Sequence, residues 1–522
     1  MADPARLGLQ ELPDALLLRV VGFLEEQRDR ASLLLVSRAF SRLVERAGFP
    51  RARVILAEEA QDVQQLGGDA SIPLWQRVLW AQRAARLCTG RLEFSLAFNL
   101  FREVFARFAG LLREARLNEG LRELVLPHVW LDNDAGALML RRALAGVLPR
   151  RTQDRPACRI VVEGLANPSA EWMEEGGAAE LPPVVAEVYE FDLSDVDGRG
   201  PRALAAAAAL PDGCMVRVCV GHEQSLVEEP QAEAEGLLRL LAAGRRVANL
   251  CVLNTCQEEL SPSPGFVRAI AAVGAPTLQL NDLWLSDAAA DDIADAVCEA
   301  LAAGRLSALS LTGKCAEMLQ PLLAALAEKL PSLAPGVPLL QLSIEFSDEN
   351  PGPDDEEVNL VCTFVSTMLC RISSLKLESF LTERVVLTVS SASLRSLTLG
   401  NYNAGLCRLH LERARALSQV SATNVEAAEA AHLLRGLMLD CQFGKLPALR
   451  TVSLGIKEQG VRQTRDLAEM AQRLEEHLML APAHVANDEG NNNNNQAMMA
   501  PAWTVRAESV QGQPHIVARR VG

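Results

Sequence analysis

Two stretches of the chain gather residue types capable of chemistry. Asp440 and Cys441 set a carboxylate beside a thiol, and residues 345–357 hold seven carboxylates. Neither completes a site. Asp440-Cys441 falls in Leu434-x-x-Leu437-x-Leu439, a spacing that predicts a repeat strand, and no separate helical domain follows to house a reactive cysteine. The acidic run contains no base and is broken by Pro351, Gly352 and Pro353. A calcium loop needs carboxylates at alternate positions around a fixed glycine, so this run reads as a solvated loop. The histidines, His128, His222, His410, His432, His477, His484 and His515, show no metal-ligand spacing. There is no phosphate-binding glycine loop, no dinucleotide fingerprint and no G-x-S-x-G elbow. The sequence therefore predicts a non-catalytic protein with no metal and no cofactor.

Composition bounds what is left. A chain of 522 residues exceeds one ordinary core, which predicts several domains or one repeat array. Hydrophobic residues make up 49% but aromatics only 4%, so the apolar mass is Leu, Ala and Val. That balance suits stacked repeats with an aliphatic core. The net charge of -15 and a pI of about 5.1 argue against nucleic acid as a partner. Residues 1–14 lack a basic and then apolar leader, and the apolar stretch 203–210 is too short to cross a bilayer. The 12 cysteines have no metal-type spacing; their closest pairs are Cys214/Cys219 and Cys251/Cys256. They read as small buried hydrophobes in a reducing compartment, the cytoplasm or nucleus.

The elements come in two groups. The first is short and helical. Leu12-Pro13-Asp14 opens a helix, with proline pre-organised for the first turn and an acid favoured by the dipole. Leu16, Leu17, Val20, Val21 and Leu24 form an amphipathic stripe. After a charged break at 25–30, a second apolar helix runs through Leu33, Leu34, Val36, Phe40 and Leu43, with Arg38, Arg42 and Arg46 on its polar side. Two short helices leave apolar surface that another element or a partner must cover.

The second group repeats one pattern, L-x-x-L-x-L, in which alternate side chains face a shared core. It appears at Leu121/Leu124/Leu126, Val188/Phe191/Leu193, Val247/Leu250/Val252, Leu306/Leu309/Leu311, Leu339/Leu342/Ile344 and Ile372/Leu375/Leu377. Weaker copies start at Ala157 and Ala275. Helices lie between. The clearest runs over 287–301, with Ser286 as N-cap, Ile293, Val297, Cys298 and Leu301 on one face, and Gly304 as stop. Leu-Ala-Ala-Gly-Arg occurs at both 241–245 and 301–305, each time leading into a strand. Beyond about residue 390 the copies at Leu394, Leu406 and Leu417 crowd together, leaving room for turns but no helix. Copies at Leu434 and Leu449 restore the longer spacing. Residues 464–480 read as a closing helix, and 487–499, with five consecutive asparagines, as disordered.

The segment from Leu12-Pro13-Asp14 to Val36-Ser37-Arg38-Ala39-Phe40 resembles an F-box. It departs from that family's pattern at Ala15, where an acid is common, at Ser37, where Cys is common, and at Phe40, where Trp is common. The order F-box then leucine-rich repeats, with 387–399 similar to the helix-poor repeats of plant F-box proteins, carries the resemblance along the chain. It implies an α/β fold: a helical F-box (1–50), a helical linker and cap (51–118), and a curved leucine-rich-repeat solenoid (119–460). A C-terminal helix (461–485) and a low-complexity tail (486–522) follow. It also implies a substrate-recruiting subunit of a Skp–cullin–F-box (SCF) ubiquitin ligase, with no membrane partner. Leu12, Pro13, Leu16, Leu17, Val20, Val21, Leu24, Leu33, Val36 and Phe40 would hold the Skp-type adaptor and, through it, a cullin. The residue between the last two apolar positions of each repeat points out of the core, toward a protein substrate. On that face lie Asp192, Gln279, Ser310, Ser343, Lys376, Thr398 and His410, together with Val125 and Cys251. A ligase-independent repeat scaffold and a small-molecule-gated receptor remain as alternatives.

Overall fold

The computed structural model describes residues 49–56, 72–96, 102–115, 117–149, 157–169, 172, 181–193, 199–220, 229–244, 247–254, 263–346, 355–378, 385–400, 407–412, 414–425, 427–442, 444–456, 469, 471–472, 503–510 and 513–520. The F-box-like stretch, Leu12 to Leu43, lies outside the described residues, as do most of 461–485 and the asparagine run. The chain divides into two compact units, Met1–Phe191 and Asp192–Gly522.

The first unit alternates strands and helices: β1 (Phe49–Leu56), α1 (Leu74–Leu87), β2 (Cys88–Leu96), α2 (Arg102–Ala115), β3 (Glu123–Leu131), α3 (Asp134–Leu144), β4 (Arg159–Ala166) and β5 (Val184–Asp192). The strands pair in chain order and in parallel. Strands thus form at 49–56 and 88–96, inside the stretch read from sequence as a helical linker. Their inward residues, Ala52, Val54 and Leu56, then Leu92 and Phe94, are buried; Phe49, Ala52 and Val54 keep the i, i+3, i+5 spacing but without a leucine.

The second unit continues with α4 (Arg199–Ala208), β6 (Met215–Val220), α5 (Glu229–Gly244), β7 (Asn249–Asn254), α6 (Pro264–Val273), β8 (Thr277–Asn281), α7 (Asp287–Ala302), β9 (Ala308–Gly313), α8 (Ala316–Lys329), β10 (Leu340–Phe346), α9 (Asp355–Met368) and β11 (Ile372–Glu378). Local chemistry sets the boundaries. Ser263 accepts from Phe266 N at 3.1 Å ahead of Pro264, and Gly274 ends α6 in the left-handed region (φ 64°). Ser286 accepts from Ala289 N at 3.4 Å, and Gly304 (φ 67°) lets Arg305 N reach Ala300 O at 2.9 Å. Leu250, Leu278, Leu309, Leu342 and Leu375 pair in register, roughly 30 residues apart. All are buried, and consecutive helices from α4 to α8 pack on one another, with α9 on α8. The core lies between the helix layer and the inward leucines.

Beyond β11 the period shortens. β12 (Val385–Ser390), β13 (Ser396–Leu399), β14 (Cys407–Glu412) and β15 (Gln419–Val425) follow, with no helix between them among the described residues. β13 joins β11 to β15, while β12 and β14 pair in a separate two-stranded sheet, and β12 packs against α9. The repeat is too short for a helix, so a strand fills the helix layer. The reading of Leu434-x-x-Leu437-x-Leu439 as a strand is corrected: residues Ala427–Gln442 form a helix, α10. Leu434, Leu437, Met438 and Cys441 are buried at helical spacing while Leu439 is 38% exposed. β16 (Thr451–Ile456) then pairs with β15. Within the stretch read as a low-complexity tail, β17 (Trp503–Val510) and β18 (Gln513–Arg520) form an antiparallel hairpin that pairs with β16. Trp503, Val505, Ile516, Val517 and Ala518 are buried there.

Candidate functional site: the helix-free face of the sheet

Strand alternation sends every second side chain of the second unit away from the helices. Register pairs assemble these into rows. One row reads Arg217, Cys251, Gln279, Ser310, Ser343, Lys376, Thr398, Ser421 and Ser453 across nine neighbouring strands. Gln279, Ser310, Ser343, Lys376 and Thr398 are therefore brought together as expected from the repeat pattern. Ser421 and Ser453 belong with them. They hold the same place in Leu417-x-x-Val420-x-Ala422 and Leu449-x-x-Val452-x-Leu454, where the motif ends in a smaller residue or begins a new spacing.

Three expected members, His410, Val125 and Cys251, fall short of an exposed place in the row. His410 sits on β14, opposite Thr388 in the small separate sheet, because the short repeats send alternate strands to the helix layer. Val125 and Cys251 point the expected way but are buried, at 1% and 6% exposure. The remaining expected residue, Asp192, ends β5 half-buried.

A second row flanks the first: Asn281, Thr312, Glu345 and Glu378. Most of this face is uncharged hydroxyl and amide. Its charges concentrate where Lys376 pairs with Glu378 at 2.9 Å and Glu345 stands beside Glu378. Gly400 makes the room, since a Cβ there would press on the Glu378 side chain and backbone. Burial, and then the neighbouring Glu378 carboxylate, push the Glu345 pKa up. The folded state thus holds this proton more tightly than the unfolded chain. Any stability it brings is present below the ordinary carboxylate range and is lost as pH rises through the raised value. Glu345→Gln should raise the melting temperature at neutral pH and change it little in acid. An unchanged pH profile of thermal unfolding would remove the carboxylate pair.

On the corresponding face of the first unit, charges interleave instead. Arg53 pairs with Glu93 at 3.0 Å, Glu123 takes both Arg159 and, at 3.9 Å, Arg91, and Arg91 reaches Glu187 at 4.0 Å. All lie at alternate strand positions, as Arg51-Ala52-Arg53 and Arg91-Leu92-Glu93 allow. Exposed pairs of this kind contribute little individually and give the face a mixed-charge texture. Their long side chains can shelter Val125 and Val161 between them.

Four buried thiols are held in the protonated form. Burial pushes Cys88, Cys298 and Cys441 up to about 11 and Cys158 up to about 12. For Cys441 the Asp440 carboxylate adds to the rise against the opposing Arg520. Among the described residues no group of three or more His, Cys, Asp or Glu is placed to hold a metal ion. No helix among them is long and apolar enough to cross a membrane. No protein-family model matches the chain, and a comparison with curated proteins finds no match.

Proposed function

We propose that this protein is a non-catalytic substrate receptor of an SCF-type ubiquitin ligase, working in the cytoplasm or nucleus. Residues 12–43 dock as an F-box on the Skp-type adaptor, which links the chain to a cullin. The α/β repeats act as a leucine-rich-repeat domain that offers a protein substrate the row Gln279–Ser310–Ser343–Lys376–Thr398. The observation that carries this reading is a conjunction. An F-box-like Leu-Pro segment precedes an array whose open face is a continuous polar row with aliphatic packing beneath it. Such an array holds a partner over many shallow contacts, and ubiquitin transfer then follows from proximity.

Co-purification with a Skp-type adaptor tests this. Leu12→Ala with Pro13→Ala should abolish adaptor binding and leave the circular dichroism of the repeats intact. Adaptor binding that survives this double substitution would sink the docking model. Absence of adaptor binding by the unaltered chain would leave a ligase-independent repeat scaffold as the function.

A further inference from the structure

The first helix of the array leaves an apolar face open. Trp75 and Leu79 follow helical spacing along one side of α1 and are 61% and 56% exposed, and Ile72, just before the helix, is 39% exposed. The other side, with Ala81, Ala84, Ala85 and Leu87, is buried, and α1 packs on β1 and α2. Within the first unit β1 is the edge strand and α1 the first described helix. An internal repeat hides such a face beneath its neighbour, whereas an end repeat needs a cap. A tryptophan more than half in water beside two aliphatics marks a contact surface.

We propose that this face seats the chain's own residues 12–24. Chain length permits it: residues 25–48, at about 3.3 Å each when extended, span far more than the width of a helix. Apolar pattern favours it, because Leu16, Leu17, Val20, Val21 and Leu24 form a stripe that needs a cover. Charge selects it over the second N-terminal segment. α1 contains Arg77, Arg83 and Arg86 and no acid. Residues 11–26 carry Glu11, Asp14, Glu25 and Glu26 against Arg19, whereas 33–46 carries Arg38, Arg42 and Arg46 against Glu45. Laid parallel to α1 as a helix, residues 12–24 would rise at the same roughly 1.5 Å per residue. With Leu16 and Leu17 on Trp75, Val20 and Val21 would meet Leu79, and Glu25 and Glu26 would come toward Arg86. This stripe is also the one the adaptor would cover, so α1 and the adaptor compete for it; that competition, unlike the docking, rests on the ligase reading.

Hydrogen exchange on the full chain and on Trp75→Ser/Leu79→Ser tests the docking. Amides of 12–24 should exchange about tenfold or more faster in the variant, with the repeats unchanged. Leu17→Ser/Val20→Ser should conversely increase hydroxyl-radical oxidation of Trp75. Equal exchange of 12–24 in the two proteins, or unchanged Trp75 oxidation, overturns the proposal. So does a concentration-dependent dimer that the Trp75/Leu79 variant loses, which would assign the face to a second copy. Purified adaptor should bind the Trp75/Leu79 variant several-fold more tightly than the original, and equal affinity overturns the competition. Adaptor that binds neither protein refutes the ligase reading, while the exchange comparison still decides the docking.

Discussion

Leu309→Ala will cost the protein about 2–5 kcal/mol, while Ser310→Ala, one residue along, will move stability by no more than about 0.5 kcal/mol. The two side chains leave opposite faces of β9. Leu309 is 1% exposed and stands in register between Leu278 and Leu342, so truncation opens a cavity that neighbouring repeats cannot close without shifting their own leucines. Ser310 is half-buried on the open face between Gln279 and Ser343, where its loss removes no core contact. Urea unfolding of both variants measures the contrast. Comparable losses would mean that the alternation, and with it the candidate row, has been assigned to the wrong faces. The same pair separates fold from function, because the proposed substrate contact is Ser310 and not Leu309.

That alternation is the part of the molecule most legible in the sequence. Leu306-x-x-Leu309-x-Leu311 and its in-register relatives combine a period of two with leucine at fixed positions, and only a strand satisfies both. The helix boundaries were equally legible at Ser286 and Gly304, where a cap or a left-handed turn demands one residue type. The pattern misled where three leucines fit two periods. In 434–439 the spacing i, i+3 serves a helix as well as a strand, and Met438 and Cys441 tip it to helix. His410 has the right motif position but the wrong layer, since which of several crowded strands joins the main sheet depends on packing against α9. Val125 and Cys251 point outward yet are buried, because exposure also depends on neighbours; Val125, for example, has Glu93 and Val161 beside it in register. The hairpin Trp503–Arg520 pairs antiparallel, through partners more than sixty residues apart at Thr451↔Arg519 and Val452↔Ala518, with β16, and no repeat announces it.

The start of the sheet was the least legible feature, and Gly90→Ala is the substitution that tests it. Alanine there should destabilise the first unit by about 1–3 kcal/mol. A Cβ at position 90 would overlap the carbonyl oxygen of Pro50, which belongs to the backbone of β1 and so has no rotamer to give. The β1–β2 register shifts between Phe49 and Arg51, and Pro50, with no N–H to donate, sits at that irregularity. Thr89 Oγ1 donates to Phe49 O at 3.3 Å across the same junction. Prising β1 away would also uncover Phe49, fully buried and edge-to-face with Trp80 at 5.9 Å. Gly110→Ala is the control: it lies inside α2 with nothing within 4 Å of the added Cβ. In a helix interior that change should stabilise by up to about 1 kcal/mol. Thermal unfolding should therefore move in opposite directions for the two glycines, and hydrogen exchange should show faster opening of β1 in Gly90→Ala alone. Unchanged β1 protection in Gly90→Ala would detach β1 from β2. The array would then begin at a later strand, and α1 would lose its place as the helix in need of a cap.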